Sequence, residues 1–292
     1  MSDRCFLCEA DAFVPRFDHP PYTVRRCRRC GLVGIAPRPE PHTLYDIYQE
    51  SYFKSPSAQH IGYQDYLGEF DNYLKTFRRR YECVRPYLQN SDRVLEVGSA
   101  CGAFLKVLKE HGFADLTGVE ISRFAIDQAK AVLNGDVDLR HGYLKDHDFE
   151  TPFDVVVMWD VIEHMPEPLV ELRRLHANMR PGGHLILETQ DERSVLAKLA
   201  GRRWHMYKFP EHIHHFNQRT VTRMLEMAGF SVVTITKRAA GKYVSGDFLF
   251  ERVTRYCGPL KWAIAPWRRR MRHVYLNPHD EMIVVARRDD VL

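Results

Sequence analysis

The chain has 292 residues, 45% hydrophobic and 27% charged, which suits one large domain with appendages and an ordinary folded composition. A formal charge of +4 is too small to call for nucleic acid by itself. No apolar run approaches the roughly 20 residues of a membrane span. The opening Met-Ser-Asp-Arg-Cys has no apolar signal core, so the chain reads as cytoplasmic, with reduced or metal-bound cysteines.

Residues 1–40 hold two cysteine pairs, Cys5-Phe-Leu-Cys8 and Cys27-Arg-Arg-Cys30, 18 residues apart. That spacing fits a four-thiolate zinc ribbon, and four thiolates leave no open position, so the zinc is expected to be structural. Arg25, Arg26, Arg28 and Arg29 favour the ionised thiolates and offer a docking patch for nucleic acid. The plainer expectation is a stapled module that packs on an enzyme and helps close its site.

Residues 41–90 read as a helical connector or lid. Tyr45, Tyr48, Tyr52 and Phe53 make an aromatic stretch. Tyr63, Tyr66, Leu67, Phe70, Tyr73, Leu74, Phe77 and Tyr81 then recur at helical steps. Core packing is the expected role, with one or two tyrosines turned towards a ligand.

Residues 91–292 alternate short apolar runs with helical patterns, the signature of a doubly wound, mostly parallel sheet. Strands are expected at residues 93–97, 116–120, 137–141, 153–159, 184–188, 230–236 and 281–287. Ser122 and Asn217 are placed as N-caps, Pro168 as a first helical residue, and Arg180-Pro-Gly-Gly183 as a turn. Residues 239–280 form an insertion before the last strand and carry Trp262, Trp267 and the Arg268–Arg272 run, which could meet a phosphorylated ligand.

Several segments appear in order: Leu-Glu-Val-Gly-Ser-Ala-Cys-Gly at 95–102, Gly-Val-Glu-Ile-Ser at 118–122, Phe-Asp-Val-Val-Val-Met-Trp-Asp-Val-Ile-Glu-His at 153–164, and Arg-Pro-Gly-Gly-His-Leu-Ile-Leu at 180–187. Together they resemble the class I S-adenosylmethionine (SAM) methyltransferases across residues 92–236. A nicotinamide site would want G-x-G-x-x-G, but the turn holds only Gly98 and Gly102, with Ala100 between them. The resemblance implies a Rossmann-like seven-stranded sheet and SAM contacts at Glu96, Gly98, Gly102, Glu120 and Asp160. Glu120 can take the ribose hydroxyls, and Glu96 can order the turn or receive the ammonium. Tyr143 stands where an adenine ring could lie, although many relatives place an acidic residue there.

The ribbon, the aromatic connector and a Glu-His segment after the fifth strand also resemble deoxysugar C-methyltransferases and other zinc-ribbon methyltransferases of sugar and natural-product pathways. Where those sugar enzymes read Tyr-His-Glu-His, this chain has Phe209, Pro210, Glu211 and His212. Tyr52 matches their earlier tyrosine loosely, and their additional C-terminal domain has no counterpart before Leu292. The expected function is methyl transfer to a small-molecule acceptor, a sugar nucleotide, glycoside or other natural-product intermediate. His212 assisted by Glu211 is the expected base, with Tyr52 beside the substrate. A metal on His212, His214 and His215 with Glu211 is a rival use, but these histidines do not keep the i, i+4 helical spacing of a zinc motif, which argues against it. Two other functions stay open: an RNA methyltransferase docking through the ribbon, and a SAM-binding module without turnover.

Overall fold

The computed structural model describes residues 4–40, 43, 46–48, 68–250 and 273–289. Three antiparallel strands open the chain: β1 (Phe13–His19), β2 (Tyr22–Cys27) and β3 (Val33–Ala36). Helix α1 (Phe70–Val84) follows and buries Leu74, Phe77, Tyr81 and Val84 on one face. Its helical periodicity extends upstream in sequence, but residues 61–67 lie outside the described residues.

The core then alternates: β4 (Val94–Val97), α2 (Ala103–Glu110), β5 (Leu116–Glu120), α3 (Arg123–Leu133), β6 (Asp138–His141), β7 (Phe153–Trp159), α4 (Pro168–Ala177) and β8 (Met179–Gln190). Ser122 Oγ accepts from the Ala125 amide and Pro168 opens α4, so the local start signals act where the sequence puts them. Helix α5 (Val195–Ala200), the short β9 (His214–His215), α6 (Gln218–Met227) and β10 (Phe230–Thr236) come next. Asn217 and Thr220 form a reciprocal cap at the start of α6. The chain ends through β11 (Lys242–Val244), β12 (Val274–Leu276) and β13 (Glu281–Arg288).

Seven strands form one sheet in the order β10-β13-β8-β7-β4-β5-β6. Neighbours from β8 through β6 pair in parallel, whereas β13 runs antiparallel to both β8 and β10. From β4 the chain winds one way through β5 and β6, then returns to β7 on the other side. That reversal opens a crevice at the carboxyl ends of β4 and β7, the place where such sheets bind ligands. Strand β7 is apolar on both faces because both are covered: Val156 and Met158 join one buried cluster, Val155 and Val157 the other.

Two boundaries differ from the sequence reading. Strand β8 begins at Met179, before the expected turn, because Pro181 to Gly183 form an irregularity within it. Phe153 lies opposite Met179, but Val155 lies opposite His184. A Cβ on Gly183 would meet the Asp154 carbonyl oxygen at 2.6 Å, so only glycine lets the backbone pass there. The second difference concerns the ribbon, whose sheet takes in a strand from outside residues 1–40. Strand β9 is the fourth strand of its sheet, Val33 facing His215 and Gly34 facing His214. Leu7, Cys27 and Leu32 share one buried cluster with Phe216 and Leu225 of the α/β core. Within residues 239–280, residues 239–250 and 273–280 are described and include the β11-β12 pair, whereas the Arg268–Arg272 run, Trp262 and Trp267 lie outside the described residues.

Candidate active site

A cavity of about 850 Å³ opens at the crevice, lined by the β4 and β5 turns, the loops after β6 and β7, residues of α1, and the segment between α5 and β9. Its floor is the turn after β4. Gly98 and Gly102 have φ of +73° and +77°, and Ala100 between them is also left-handed. A Cβ on Gly98 would stand 2.5 Å from Val161 Cγ2, so this backbone can pass under the β7 loop only without a side chain. Gly102 packs against Leu133 and Ala129 of α3, where a Cβ would fall 2.9 Å from Leu133 Cδ1.

Two carboxylates from adjacent strand ends face this floor. The Ala100 and Ser122 amides donate to the two oxygens of Glu120 at 2.9 and 2.8 Å, which fixes its carboxylate at the cavity wall with lone pairs to spare. Glu96 is 2% exposed, and its Oε2 has no hydrogen-bond partner. Burial first, then the charge of Glu120, raises its pKa well above the usual carboxylate range. A buried oxygen without a partner beside a fixed carboxylate is the donor-seeking arrangement that an ammonium and ribose hydroxyls would satisfy. Tyr143 also lines the cavity, with Lys145 Nζ 5.4 Å from its ring centre.

Asp160, left-handed at φ 55°, lies at the end of β7. Lys242 donates to Asp160 and to Glu281, both at 2.9 Å. Burial would raise the Asp160 pKa, but Lys242 and Arg80 outweigh it and hold it at about 2. Behind it, Arg80 of α1 meets Glu188 at 2.6 Å, with its guanidinium 5.1 Å from the rings of Phe77 and Trp159. Burial alone would lower the Arg80 pKa; Glu188, then Asp160 and Glu281, reverse that and keep it charged. Removing one member of such a pair strands the other in a dry interior. Arg80→Ala is expected to destabilise the fold by about 3–5 kcal/mol, read as a lower urea midpoint at unchanged slope. Arg80 and Lys242 carried no sequence signal, because their partners lie 108 and 82 residues away in sequence.

The opposite wall carries the histidines. His164 and His212 both line the cavity, edge to face at 4.7 Å between ring centres. Nδ1 of His164 lies 2.9 Å from the Glu211 carbonyl and 2.8 Å from the Tyr48 hydroxyl. A carbonyl can only accept, so Nδ1 carries the proton and Nε2 keeps its lone pair. Burial lowers the His164 pKa to about 4 and holds His212 well below the ordinary histidine value. Glu163 is pushed to about 8 by burial and then by Asp160. Its protonated form also satisfies Thr189, whose hydroxyl lies 3.0 Å from Glu163 Oε2 and 2.7 Å from Gln190 Oε1 and has one proton to give.

The expected Glu211–His212 pair is therefore divided. His212 faces the cavity, while the Glu211 side chain is buried outside its lining and contributes its backbone carbonyl. His214 and His215 are buried between the ribbon and the core, beside Phe6 and Tyr207. Among the described residues the compact donor set that contains histidines is Glu163, His164 and His212, within 4.8 Å of one another, and not the run from 211 to 215. Tyr52 lies outside the described residues. Tyr48 from the same connector reaches His164 instead.

In the ribbon, Cys5 and Cys30 Sγ are 3.5 Å apart, as are Cys8 and Cys27, and all four lie within 4.8 Å of one another. Four buried sulfurs at this spacing fit the edges of a tetrahedron with bonds of about 2.3 Å. Three of the four clustered arginines, half-buried or exposed, make contacts within the molecule. Arg26 faces Glu192 at 3.9 Å, Arg29 donates to the Cys8 carbonyl, and Arg25 lies over the Phe13 ring.

Comparison with known proteins agrees with this geometry. The profile of a family described as "Methyltransferase domain" matches residues 66–235, more than half of the chain. The chain belongs to that family, and its class is that of the SAM-dependent methyltransferases. It is 34% identical over 113 residues to a mitochondrial ubiquinone biosynthesis O-methyltransferase of Schizosaccharomyces pombe, covering 37% of this chain and 40% of that protein. It is 26% identical over 151 residues to the ubiquinone biosynthesis O-methyltransferase of Aeromonas salmonicida, covering 48% and 63%. The chain thus spans about half the length of these curated relatives. Among solved structures, magnesium protoporphyrin IX methyltransferase from Synechocystis PCC 6803 with bound SAH superposes with a TM-score of 0.52 at 16% identity, covering 86% of this chain and all of that one. The [4+2]-cyclase SpnF superposes at 0.51 with 18% identity, covering 72% of this chain and 81% of that one. The shared fold therefore does not fix the reaction. No described helix is long and apolar enough to cross a membrane.

Proposed function

We propose that this chain transfers the methyl group of SAM to a hydroxyl oxygen of a small molecule held in the cavity, with His164 as the proton acceptor. The observation that carries this reading is one cavity lined at one end by Glu96, Gly98 and Glu120 and at the other by neutral His164 and His212. SAM supplies a methyl group on a sulfonium whose leaving thioether is neutral. What remains for the protein is to align the acceptor oxygen and take its proton. Glu120 is proposed to hold the ribose, Glu96 the ammonium, Tyr143 the adenine side and Asp160 the methyl-donor end. Nε2 of His164 takes the acceptor proton, and His212 packs beside it. Oxygen as the acceptor atom follows the O-methyltransferase relatives. A sugar or other natural-product intermediate remains the proposed substrate class, with Tyr52 a proposed contact of the acceptor.

The cysteine set is proposed to hold one structural zinc ion and to define the 1–40 module, with 41–90 as connector and 91–292 as the catalytic unit. The intramolecular contacts of Arg25, Arg26 and Arg29 are the observation that favours a small molecule over RNA.

His164→Gln is expected to lower turnover by about 10²–10⁴-fold with SAH affinity unchanged. Full turnover in that variant would remove the assignment. A base held neutral down to about pH 4 also predicts an unusual profile. The active, neutral form exists above the pKa and is lost as pH falls through it. Turnover should stay level from pH 7 to about 5, where an ordinary histidine near 6.5 would be almost wholly protonated. A fall centred near 6.5 would contradict it.

A further inference from the structure

The cavity wall between α5 and β9 holds a charge that the reaction does not use. Lys208 and Arg203 both line it. Among the described residues neither side chain makes a hydrogen bond or an ion pair. Lys208 is half-buried and close enough to Asp160, His164 and His212 to move the titration of all three. It lies four residues before His212, whose amide donates to the Lys208 carbonyl at 2.8 Å, so the lysine and the histidine share one closed turn.

The carboxylates on this side of the cavity already have partners. Asp160 and Glu281 share Lys242. Asp280 accepts from Trp204 Nε1 at 2.7 Å and faces His205 at 3.6 Å. Glu163 is protonated and bonded to Thr189. A half-buried ammonium with no direct ion-pair partner among the described residues, beside two neutral histidines, is an incomplete arrangement that an anionic ligand completes.

We infer that the acceptor carries an anionic oxygen group, a carboxylate or a phosphate, and that Lys208, assisted by the more exposed Arg203, anchors it so that the acceptor hydroxyl reaches His164. This rests on the methyltransferase reading and adds the chemical class of the acceptor. A lysine anchors an anion as a point charge and without a fixed fork, which is compatible with either group. Lys208 and Arg203 are thus specificity-determining residues and take no part in the proton transfer.

The test is titration calorimetry on the full chain, with SAH bound first in the same cell. Two matched pairs separate the sources of the charge: meta-hydroxybenzoate against meta-hydroxybenzamide for a carboxylate, and glycerol phosphate against glycerol for a phosphate. The charged member of at least one pair should bind about tenfold or more tightly than its neutral partner. Lys208→Met should erase that preference while leaving SAH affinity unchanged, and Arg203→Gln should weaken it less. Equal binding within both pairs, no binding of either charged probe, or a preference that survives Lys208→Met would overturn the inference. If SAH itself does not bind, the methyltransferase reading fails with it. If SAH binds and no charge preference appears, only the anionic-acceptor inference fails.

Discussion

Cys30→Ser is expected to cost the enzyme its turnover, by about a hundredfold or more, although Cys30 is not itself a lining residue of the cavity. The path is short. Cys30 and Cys27 share a buried cluster with Phe216, and β3 pairs with β9 two residues beyond His212. The Ile35 amide donates to the Ile213 carbonyl at 3.1 Å, and a Cβ on Gly34 would already lie 3.1 Å from that oxygen. The segment carrying His212 is therefore held against the ribbon sheet with no slack. Structural zinc sites contribute folding energy outright, so losing a ligand loosens the ribbon and, with it, this strand. Zinc content by atomic spectroscopy should be about one ion per chain in the wild type and fall in the variant, together with turnover and the thermal midpoint. A variant that loses zinc but keeps full turnover would show that the ribbon and the catalytic segment are independent.

Glu120→Ala should lower SAH affinity by about 10²–10⁴-fold, with the fold intact. The carboxylate is held by the Ala100 and Ser122 amides, so its removal takes away two charge-assisted acceptors at a fixed place. Each hydrogen bond to a charged group contributes about 1.5–3 kcal/mol, and two of them set that scale. Glu120→Gln keeps the shape and an acceptor oxygen, so it should fall between the two. Calorimetric titration with SAH would reveal the order. Equal affinity in all three proteins would mean that the ribose is held elsewhere.

The frame of this site was legible in the sequence because its signals are local. The Gly98–Gly102 turn, Glu120 at a strand end and the continuous apolar run at 153–159 each report their own segment, and the strand ends meet at one crevice. The two cysteine pairs were equally legible through spacing alone. What the sequence could not display is pairing across long separations. Arg80 with Glu188 and Lys242 with Asp160 look like ordinary surface charges until the fold brings each pair together. The same limit explains the histidines. Glu211 and His212 are neighbours in sequence, but His212 lines the cavity while Glu211 lies outside its lining and turns its carbonyl to His164 Nδ1. The tether of His164 to that carbonyl, 47 residues on, has no trace in the local sequence. The Pro181–Gly183 irregularity had the composition of a turn and differs because Gly183 lets the strand continue past Asp154.

The most direct test of the account is mass spectrometry of small hydroxyl acceptors, including meta-hydroxybenzoate and a small-molecule extract, incubated with the protein and methyl-labelled SAM. The prediction is label on a hydroxyl oxygen of an acceptor, formed with matching SAH and lost in His164→Gln. Label appearing on RNA and on no small molecule, or labelled product formed equally well by His164→Gln, would contradict it.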